Sequence, residues 1–365
     1  MKVLFAGGGT GGHINPAISI ADYAASQEKN FEALFVGTER GLESKLVRNA
    51  GYNIKYIDIA GFNRKNLLKN FAVVKKLLKS RKDCKNIIKE FNPDCVVCTG
   101  GYVSGPVIMA AAKLGIPSLI HEQNVYPGLT VKGSEKYVEY LAVSFDETVN
   151  LMHMKEKCVV TGNPIRTEIL EADKSKAREN LGIDKPFVLV FGGSLGAQKI
   201  NDTMLGVIPK LAQKGGIKLL FGTGDRNFNA VNSAVKELDI ETDDIEVVPY
   251  IDNMAEVMAA ADIVVARSGA ITVSELAALG KPAILIPSPN VVRNHQEQNA
   301  REFEKNNAAE VITEDELSAD ILYDRIISIL DNANRLNTMS ENLITMAKTD
   351  ALPKIYELMK KMSDR

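Results

Sequence analysis

The 365-residue sequence has only four cysteines, no long apolar run and no Asp-x-Asp pair. The cysteines lie in or near apolar segments, which is typical of buried thiols in a reducing compartment rather than of a disulfide framework. Cys95 and Cys98 form a Cys-x-x-Cys pair, but no second pair of metal ligands accompanies it. No segment approaches the roughly 20 apolar residues of a membrane-spanning helix, and the apolar start runs into glycines instead of a signal-peptide cleavage site. We therefore expect a cytoplasmic protein without a membrane anchor of its own.

The charge of the chain is distributed unevenly. Its 45% hydrophobic and 25% charged residues are typical of a soluble globular protein, and its length fits two domains. The formal net charge is −2, yet residues 1–162 carry 21 basic and 15 acidic side chains, whereas the remainder carries 23 and 31. Residues 61–90 alone hold ten basic and two acidic side chains. The basic character of the N-terminal half is therefore local.

Short β-branched runs alternate with helical stretches along the whole chain, which predicts parallel sheets covered on both faces. The predicted strands are residues 2–6, 32–36, 54–59, 94–98, 117–121, 140–144, 158–161, 187–191, 217–221, 245–249, 262–266, 282–286 and 308–312. The first series closes near residue 162 and a similar one opens at 186. We expect two doubly wound, Rossmann-like α/β domains, residues 1–162 and 163–350, and a C-terminal helix, 351–365, that packs back on the first. Ligands of such sheets bind beyond the carboxyl ends of the strands, which predicts a site in a cleft between the domains.

The first predicted strand runs directly into a glycine-rich turn, residues 7–12, which is followed by His13 and a helix. Glycines let backbone N–H groups approach a phosphate, the helix N-terminus favours an anion, and an imidazole beside it can accept a proton. The same glycines also satisfy the dinucleotide fingerprint, which requires an acidic residue at the end of the second strand. Glu39 comes slightly late for that role, so a hydride-transfer enzyme is the less favoured interpretation.

Three loops of the second half carry polar residues at predicted strand ends. Residues 192–197, with Ser194, form a second glycine loop that could bind phosphate or be only a tight turn. Arg267 begins a loop before a helix in which Glu275 could hold the two hydroxyls of a ribose, or only cap the helix or face solvent. Residues 293–300 place amides and His295 after the next strand, where they suit sugar hydroxyls; His295 could also be a helix cap.

Two more polar loops follow predicted strands of the first half, at residues 100–106 and 121–129. The second begins His-Glu-Gln-Asn, and such polar residues are costly to bury unless they are hydrogen-bonded. Nucleotide-sugar enzymes that use a divalent metal often hold it with an Asp-x-Asp pair, which is absent here. We therefore expect no metal and no cofactor, with helix N-termini and Arg267 stabilising a leaving diphosphate.

Taken in order, these motifs resemble the MurG family of UDP-N-acetylglucosamine–N-acetylmuramyl-(pentapeptide) pyrophosphoryl-undecaprenol N-acetylglucosamine transferases. The matching segments span nearly the whole chain and are residues 7–13, 100–106, 121–124, 162–166, 192–197 and 267–275. The resemblance implies a GT-B fold and an inverting hexosyltransferase of peptidoglycan synthesis, with donor on the C-terminal domain and acceptor on the N-terminal one. The sequence departs from the family's pattern at Val131, where asparagine is usual, and at Arg293 and Asn294, where acidic residues often stand.

The resemblance also implies roles for individual residues. A single displacement needs one base, and we expect His13 to be it, because the unperturbed pKa of histidine lies near working pH and its loop faces the expected cleft, with Glu122 as the second candidate. Implied donor-binding residues are Thr10, Gly11, Gly12, Asn124, Arg166, Ser194, Ile251, Arg267, Glu275 and Gln296. Implied acceptor-binding residues are Thr10, His13, Tyr102, His121, Glu122 and Asn124. Among the donor residues, Ser194 would meet the diphosphate, Glu275 the ribose and Gln296 the GlcNAc hydroxyls, while Ile251 would offer its backbone to uracil.

The implied partners are UDP-GlcNAc, a lipid-linked muramyl pentapeptide, anionic inner-leaflet lipids, and cell-wall and division proteins, with no nucleic acid. The expected place is the cytoplasmic face of the cell membrane, peripherally bound through residues 61–90, although these could equally be a core-packing helix with a solvated lysine face. Two other enzymes are alternative interpretations of the same sequence: a second two-domain transferase with a lipid acceptor, such as a diacylglycerol glucosyltransferase, and a UDP-GlcNAc 2-epimerase. A catalytically inactive nucleotide-sugar sensor is the alternative from another class.

Overall fold

Each β-branched run of the sequence forms a strand of a parallel sheet in the computed structural model, which describes residues 1–59, 70–193, 195–240 and 242–364. The prediction of two doubly wound α/β sheets is therefore confirmed. The chain divides into unit 1, Met1–Ile165 with Lys348–Arg365, and unit 2, Arg166–Ala347. These bounds lie near the expected ones, after residues 162 and 350.

Unit 1 contains a seven-stranded sheet with the order β3-β2-β1-β4-β5-β6-β7. Its strands are β1 Lys2–Gly7, β2 Glu32–Gly37, β3 Asn53–Tyr56, β4 Cys95–Gly100, β5 Ser118–Glu122, β6 Tyr140–Val143 and β7 Cys158–Val160. The order reverses between β1 and β4, which pair in parallel with Val3 opposite Cys95. In doubly wound sheets this reversal opens a crevice at the carboxyl ends of the two strands.

Helices connect these strands and cover both faces of the sheet. They are α1 Gly11–Gln27, α2 Glu43–Asn49, α3 Asn70–Phe91, α4 Ser104–Leu114, α5 Leu129–Ser134 and α6 Asp146–Asn150. Helix α1 buries Ile14, Ala17 and Ile20 at helical spacing against one face of the sheet. Cys84, Cys95 and Cys98 are buried free thiols, as expected, and Cys158 is partly exposed.

The described part of α3 combines a buried and a basic face. Cys84, Ile87 and Ile88 pack in the core of unit 1, whereas Lys79 and Lys82 are exposed. This is the pattern of a core-packing amphipathic helix with a solvated lysine face. Residues 60–69, which belong to the basic segment, lie outside the described residues. Within the described part of the chain, no helix is both long enough and apolar enough to span a bilayer.

Unit 2 contains a six-stranded sheet with the order β10-β9-β8-β11-β12-β13. Its strands are β8 Phe187–Phe191, β9 Lys218–Gly222, β10 Ile245–Val248, β11 Ile263–Ala266, β12 Ala283–Leu285 and β13 Ala309–Val311. Its helices are α7 Thr167–Leu170, α8 Lys174–Asn180, α9 Gln198–Lys214, α10 Phe228–Lys236, α11 Met254–Ala260, α12 Ala270–Ala278, α13 His295–Lys305, α14 Ala319–Leu330 and α15 Ala333–Met346. Here the order reverses between β8 and β11.

The last helix, α16 Ala351–Ser363, belongs to unit 1 although it follows unit 2 in the chain. It packs against α1, β4 and β5 and buries Ile355 and Met359 completely. Glu28 accepts hydrogen bonds from the Tyr356 hydroxyl at 3.1 Å and from the amino group of Met1 at 3.0 Å. One carboxylate thus joins the last helix to the beginning of the first strand.

Candidate active site

In unit 1 the loops after β1 and β4 meet at the strand-order reversal. Gly101 has φ +80, and a Cβ placed there would lie 2.1 Å from the carbonyl oxygen of Gly8. The two loops therefore touch through their backbones, and only glycine fits at position 101. Ser104 joins the same strands, because its Oγ accepts from the Gly100 N–H at 3.2 Å and lies 3.1 Å from the Ala6 carbonyl oxygen.

His13 lies in the first turn of α1, beside the glycine loop. Its Nδ1 is 3.2 Å from the carbonyl oxygen of Gly8 and 3.2 Å from the Thr10 Oγ1. Because a carbonyl oxygen only accepts, the neutral ring carries its proton on Nδ1, and Nε2 has the lone pair. His13 is partly exposed, and its neighbours Thr10 and Gly12 are exposed. The geometry is that of an imidazole that can accept a proton at Nε2.

The loop after β4 packs directly on this imidazole. Gly100 has φ +102, and a Cβ placed there would lie 2.9 Å from Cδ2 and 3.2 Å from Nε2 of His13. Thr99 Oγ1 donates to the carbonyl oxygen of His13 at 2.6 Å. The orientation of His13 is thus set by residues of β4 as well as by its own loop.

The buried carboxylate of Glu43 also holds the glycine loop, and sequence reasoning missed it. Its Oε2 accepts from the Gly9 N–H at 3.3 Å, and its Oε1 accepts from the N–H and Oγ1 of Thr38 at 3.0 and 2.7 Å. Tyr102 packs over the same loop, since a Cβ at Gly9 would lie 3.2 Å from its ring. The available signal was a glutamate in the first turn after the strand-end segment Gly37–Gly41.

His121 lies in the interior of unit 1, not among side chains that could face a ligand. It is fully buried, its Nε2 donates to the Gly162 carbonyl at 2.9 Å, and its Nδ1 accepts from Gln123 Nε2 at 3.0 Å. Burial lowers the pKa of His121 to about 4. In the structure the neutral ring joins the ends of β5 and β7, and direct contact of this buried ring with an acceptor stays an untested prediction.

Glu122 is likewise committed to holding its own loop. Its Oε1 accepts from the backbone N–H and Nδ2 of Asn124, at 2.9 and 3.1 Å, and its Oε2 accepts from the Gly128 N–H at 2.7 Å. Only 3% of the residue is exposed. Burial raises the pKa of Glu122, although these hydrogen bonds oppose the shift. The arrangement fits a carboxylate that shapes the segment before α5 better than a base that meets substrate, and Asn124 remains partly exposed.

In unit 2 the loops after β8 and β9 pack closely together. A Cβ at Gly196, which has φ +73, would lie 2.0 Å from the Thr223 carbonyl oxygen. Asn201 in α9 donates to the same oxygen at 3.0 Å. Helix α9, 17 residues long, begins directly after this loop, so its N-terminus offers unpaired N–H groups to an anion. Ser194, the residue expected at the diphosphate, lies outside the described residues.

Glu275 and Arg166, both expected to bind the donor, form an ion pair within unit 2. Arg166 Nε and Nη2 both donate to Glu275 Oε1, at 3.2 and 3.1 Å. The glutamate side chain is 7% exposed and the arginine side chain 50% exposed. Burial raises the pKa of Glu275, and the positive charge of Arg166 opposes this. A carboxylate on α12 is therefore held in one orientation by a solvent-facing cation.

Arg267, at the end of β11, is anchored to the protein rather than presented to solvent. Its Nη1 donates to the carbonyl oxygens of Ile286 and Pro287 at 3.0 and 3.1 Å, and its Nη2 pairs with Glu314. The side chain is 14% exposed. In the structure Arg267 fixes the loop between β11 and α12, and its expected role at a diphosphate stays a prediction.

Gln296 is held against two neighbouring loops. Its side-chain Oε1 accepts from the Ser288 N–H at 2.8 Å, and its backbone carbonyl oxygen accepts from Ser268 Oγ at 2.8 Å. Before it, Arg293 and Asn294 have φ +56 and +53, which is uncommon for residues other than glycine. Ile251 is 6% exposed and packs against the end of β9, where a Cβ at Gly222 would lie 2.9 Å from it.

Comparison with known proteins shows the family to which the chain belongs. Residues 3–143 match the glycosyltransferase family 28 N-terminal domain, and residues 187–355 match the glycosyltransferase family 28 C-terminal domain. The chain is 48% identical to a UDP-N-acetylglucosamine–N-acetylmuramyl-(pentapeptide) pyrophosphoryl-undecaprenol N-acetylglucosamine transferase of Thermoanaerobacter sp., over 100% of both chains. It is 46% identical to the protein of the same name from Acetivibrio thermocellus, over 99% of this chain and 98% of that one. The chain belongs to the MurG family.

Solved structures agree with this assignment. The crystal structure of MurG from Acinetobacter baumannii superposes on this structure with a TM-score of 0.80 at 27% identity. The match covers 99% of each chain. The UDP-GlcNAc 2-epimerase of Neisseria meningitidis, solved with UDP-GlcNAc, has a TM-score of 0.67 at 14% identity over 99% of this chain and 100% of that one. At that identity the likeness shows the fold alone. The GT-B fold and the expected class, a hexosyltransferase, are confirmed.

Proposed function

We propose that this chain transfers GlcNAc from UDP-GlcNAc to the muramyl 4-hydroxyl of a lipid-linked muramyl pentapeptide, as the MurG family does. The full-length identity of 46–48% to transferases of that name is the observation that carries this proposal. Attack of the hydroxyl on the anomeric carbon in a single displacement inverts its configuration, forms a β-1,4 bond and releases UDP. The reaction therefore needs one base and a site that stabilises the leaving diphosphate.

His13 is the base in this proposal. Its Nδ1–H is directed at the Gly8 carbonyl, so Nε2 is the atom that accepts the proton of the 4-hydroxyl. Glu122 is the weaker candidate, because its two oxygens already accept from Asn124 and Gly128. The glycine loop and Tyr102 would line the acceptor beside His13.

Unit 2 supplies the donor site. The N-terminus of α9 would face the diphosphate, and each helix N-terminus contributes about 0.3–1 kcal/mol, more where water is excluded. Glu275 Oε2 would accept from a ribose hydroxyl, since Oε1 is paired with Arg166. Arg166 is half exposed and would add positive charge near the departing UDP. The side-chain amide of Gln296 would form hydrogen bonds with the GlcNAc hydroxyls.

Peripheral contact with anionic lipid is a further part of the proposal. The acceptor of the named relatives carries an undecaprenol, which lies in a membrane. The exposed lysines of α3, with residues 61–69 before them, would attract anionic headgroups, each lysine near the surface contributing on the order of 1 kcal/mol at low salt. Cell-wall and division proteins remain proposed partners only.

The deciding experiment is to incubate the protein with UDP-GlcNAc and a lipid-linked muramyl pentapeptide. We expect UDP release that requires the acceptor, and a disaccharide product with a β-1,4 bond. Conversion of UDP-GlcNAc to its 2-epimer without acceptor would instead identify an epimerase. UDP binding without either product would identify a sensor, and both results would contradict the transferase assignment.

A further inference from the structure

Unit 1 carries a concave pocket on α2 that the transfer mechanism does not use. The pocket is shallow and open to solvent, has a volume of about 470 Å³, and is formed by the turn after β2 and by α2. We call it the α2 pocket. Its charged lining residues are Glu39, Arg40, Lys45 and Arg48. Three cations against one carboxylate make it a site for an anion.

Arg48 is fixed in this pocket before any ligand arrives. Its Nε donates to the Ser44 carbonyl at 2.7 Å, and its Nη2 donates to the Ser44 Oγ at 2.6 Å. Ser44 is 5% exposed, and its Oγ is in turn 3.0 Å from the Tyr56 hydroxyl. Arg40 and Lys45 are exposed, and neither forms an ion pair with any carboxylate in the described part of the chain. One rigid and two available cations therefore line the pocket.

The α2 pocket lies on the helix whose Glu43 holds the glycine loop of the proposed acceptor site. Glu43, in the same helix, lies against the lining residue Gly41 and accepts from the Gly9 N–H and from Thr38. The pocket therefore lies at the carboxyl end of β2, next to β1, whose carboxyl end leads to His13. The pocket and the glycine loop therefore share one edge of the sheet, along which a long acceptor bound beside His13 would have to extend to enter the pocket.

We propose that the α2 pocket binds a carboxylate of the peptide that the muramyl acceptor carries. This inference rests on the proposed function, because the names of the relatives give an acceptor with a pentapeptide. A peptide ends in a carboxylate, and guanidinium and ammonium groups bind that group with charge-assisted hydrogen bonds. The pocket would thereby select acceptors by their peptide, separately from the chemistry at the sugar.

The test compares two muramyl acceptors that differ only in their peptide, one with free carboxylates and one with all of them amidated. For the wild-type protein, we expect the KM of the amidated acceptor to be about 10- to 100-fold higher, as loss of a charge-assisted contact implies. The double variant Arg40→Ala/Lys45→Ala should raise the KM of the free-carboxylate acceptor by a similar factor and leave that of the amidated one unchanged. The kcat and the KM for UDP-GlcNAc should not change.

Lys29→Ala is the matched control, because Lys29 is an exposed cation that precedes β2 at the opposite end of the strand. It should alter neither acceptor's KM. An equal loss for both acceptors in the double variant would overturn the inference and indicate that the pocket binds phosphate instead. Calorimetric titration of the same acceptors without donor gives the same comparison even if no transfer occurs. Absence of transfer would thus refute the proposed function, while the two Kd values would still decide the inference.

Discussion

The Nδ1 of His13 and the carbonyl oxygen of Gly8 are 3.2 Å apart, within the same turn that joins β1 to α1. The proposed base and the loop proposed to receive the acceptor are therefore one structural element, and the loop itself favours the tautomer of the neutral ring with its proton on Nδ1. The group that fixes the tautomer of a functional histidine is often a carboxylate or a backbone carbonyl. Here it is five residues away.

Replacement of His13 tests its role as the base. His13→Ala should lower kcat by about 10²- to 10⁴-fold, the usual contribution of a general base. The Kd of UDP, measured by calorimetry, should remain near the wild-type value, because the groups proposed to hold the diphosphate, ribose and uracil lie in unit 2. A loss of less than tenfold in kcat would point to Glu122 or to direct proton transfer to solvent.

Gly100→Ala tests whether the loop after β4 orients the imidazole. The added methyl group would lie 2.9 Å from Cδ2 of His13, so the ring must move, and kcat should fall with little change in UDP affinity. Gly115→Ala is the matched control, because Gly115 has φ +73 and nothing within 4 Å of an added Cβ. Both variants carry strain of roughly 1–2 kcal/mol in the left-handed region, but only the first should lose turnover. Equal kcat values for the two variants would contradict the proposed contact.

Glu275→Ala tests the proposed ribose contact. Loss of a charge-assisted hydrogen bond of about 1.5–3 kcal/mol should raise the Kd of UDP by about 10- to 100-fold. Glu237→Ala, which removes an exposed carboxylate after α10, is the control and should bind UDP normally. Calorimetric titration of UDP into each variant measures both constants. Unchanged affinity in Glu275→Ala would remove this residue from the site.

Lys281 should make the stability of the protein depend on pH. It is 5% exposed, its amino group donates to the carbonyl oxygens of Ala259 and Ala261, and burial lowers its pKa to about 7 from an ordinary 10.5. Between these pH values the unfolded chain binds a proton that the native chain does not, so this residue makes the free energy of unfolding rise with pH. Below about pH 7 its contribution stays at its lowest.

The variant Lys281→Met removes this titration. Urea unfolding of both proteins at several pH values from about 6.5 to 10 should show the wild type gaining stability relative to the variant as pH rises. A difference in unfolding free energy that stays constant over this range would show that Lys281 keeps its ordinary pKa in the native state.

The basic segment can be tested with anionic liposomes. We expect the wild-type protein to bind them at low salt and to be released at high salt, since screened charges attract headgroups less. The charge-reversed variant replaces four lysines by glutamate, at Lys75, Lys76, Lys79 and Lys82. It should bind the liposomes less and keep its affinity for UDP. Sedimentation with liposomes measures the bound fraction.

The control for this experiment changes the net charge equally at exposed positions elsewhere. It carries glutamate at Lys29, Lys155, Lys199 and Lys236. If both variants lose binding to the same extent, the attraction depends on net charge and not on α3. If neither does, the segment is only the solvated face of a core-packing helix.

The sequence was sufficient to predict the strands but not every site contact. Apolar runs bounded by glycine or proline are local signals, and each predicted strand is present. The bonds of Glu43, by contrast, join it to Gly9, 34 positions away, and those of Arg267 join it to Glu314, 47 positions away. A polar side chain at a strand end can face a ligand or a neighbouring loop, and only tertiary packing decides which. His121 and Arg267 turned inward for this reason.

The path of the chain through unit 1 has a consequence for its biosynthesis. Helix α1, against which α16 packs, is made early, whereas Ile355 and Met359 of α16 are made last. The ribosome must produce all of unit 2 in between, which takes roughly 10–40 seconds at about 5–20 residues per second. During this interval, the α16-binding surface of the nascent first unit is exposed to water and to chaperones.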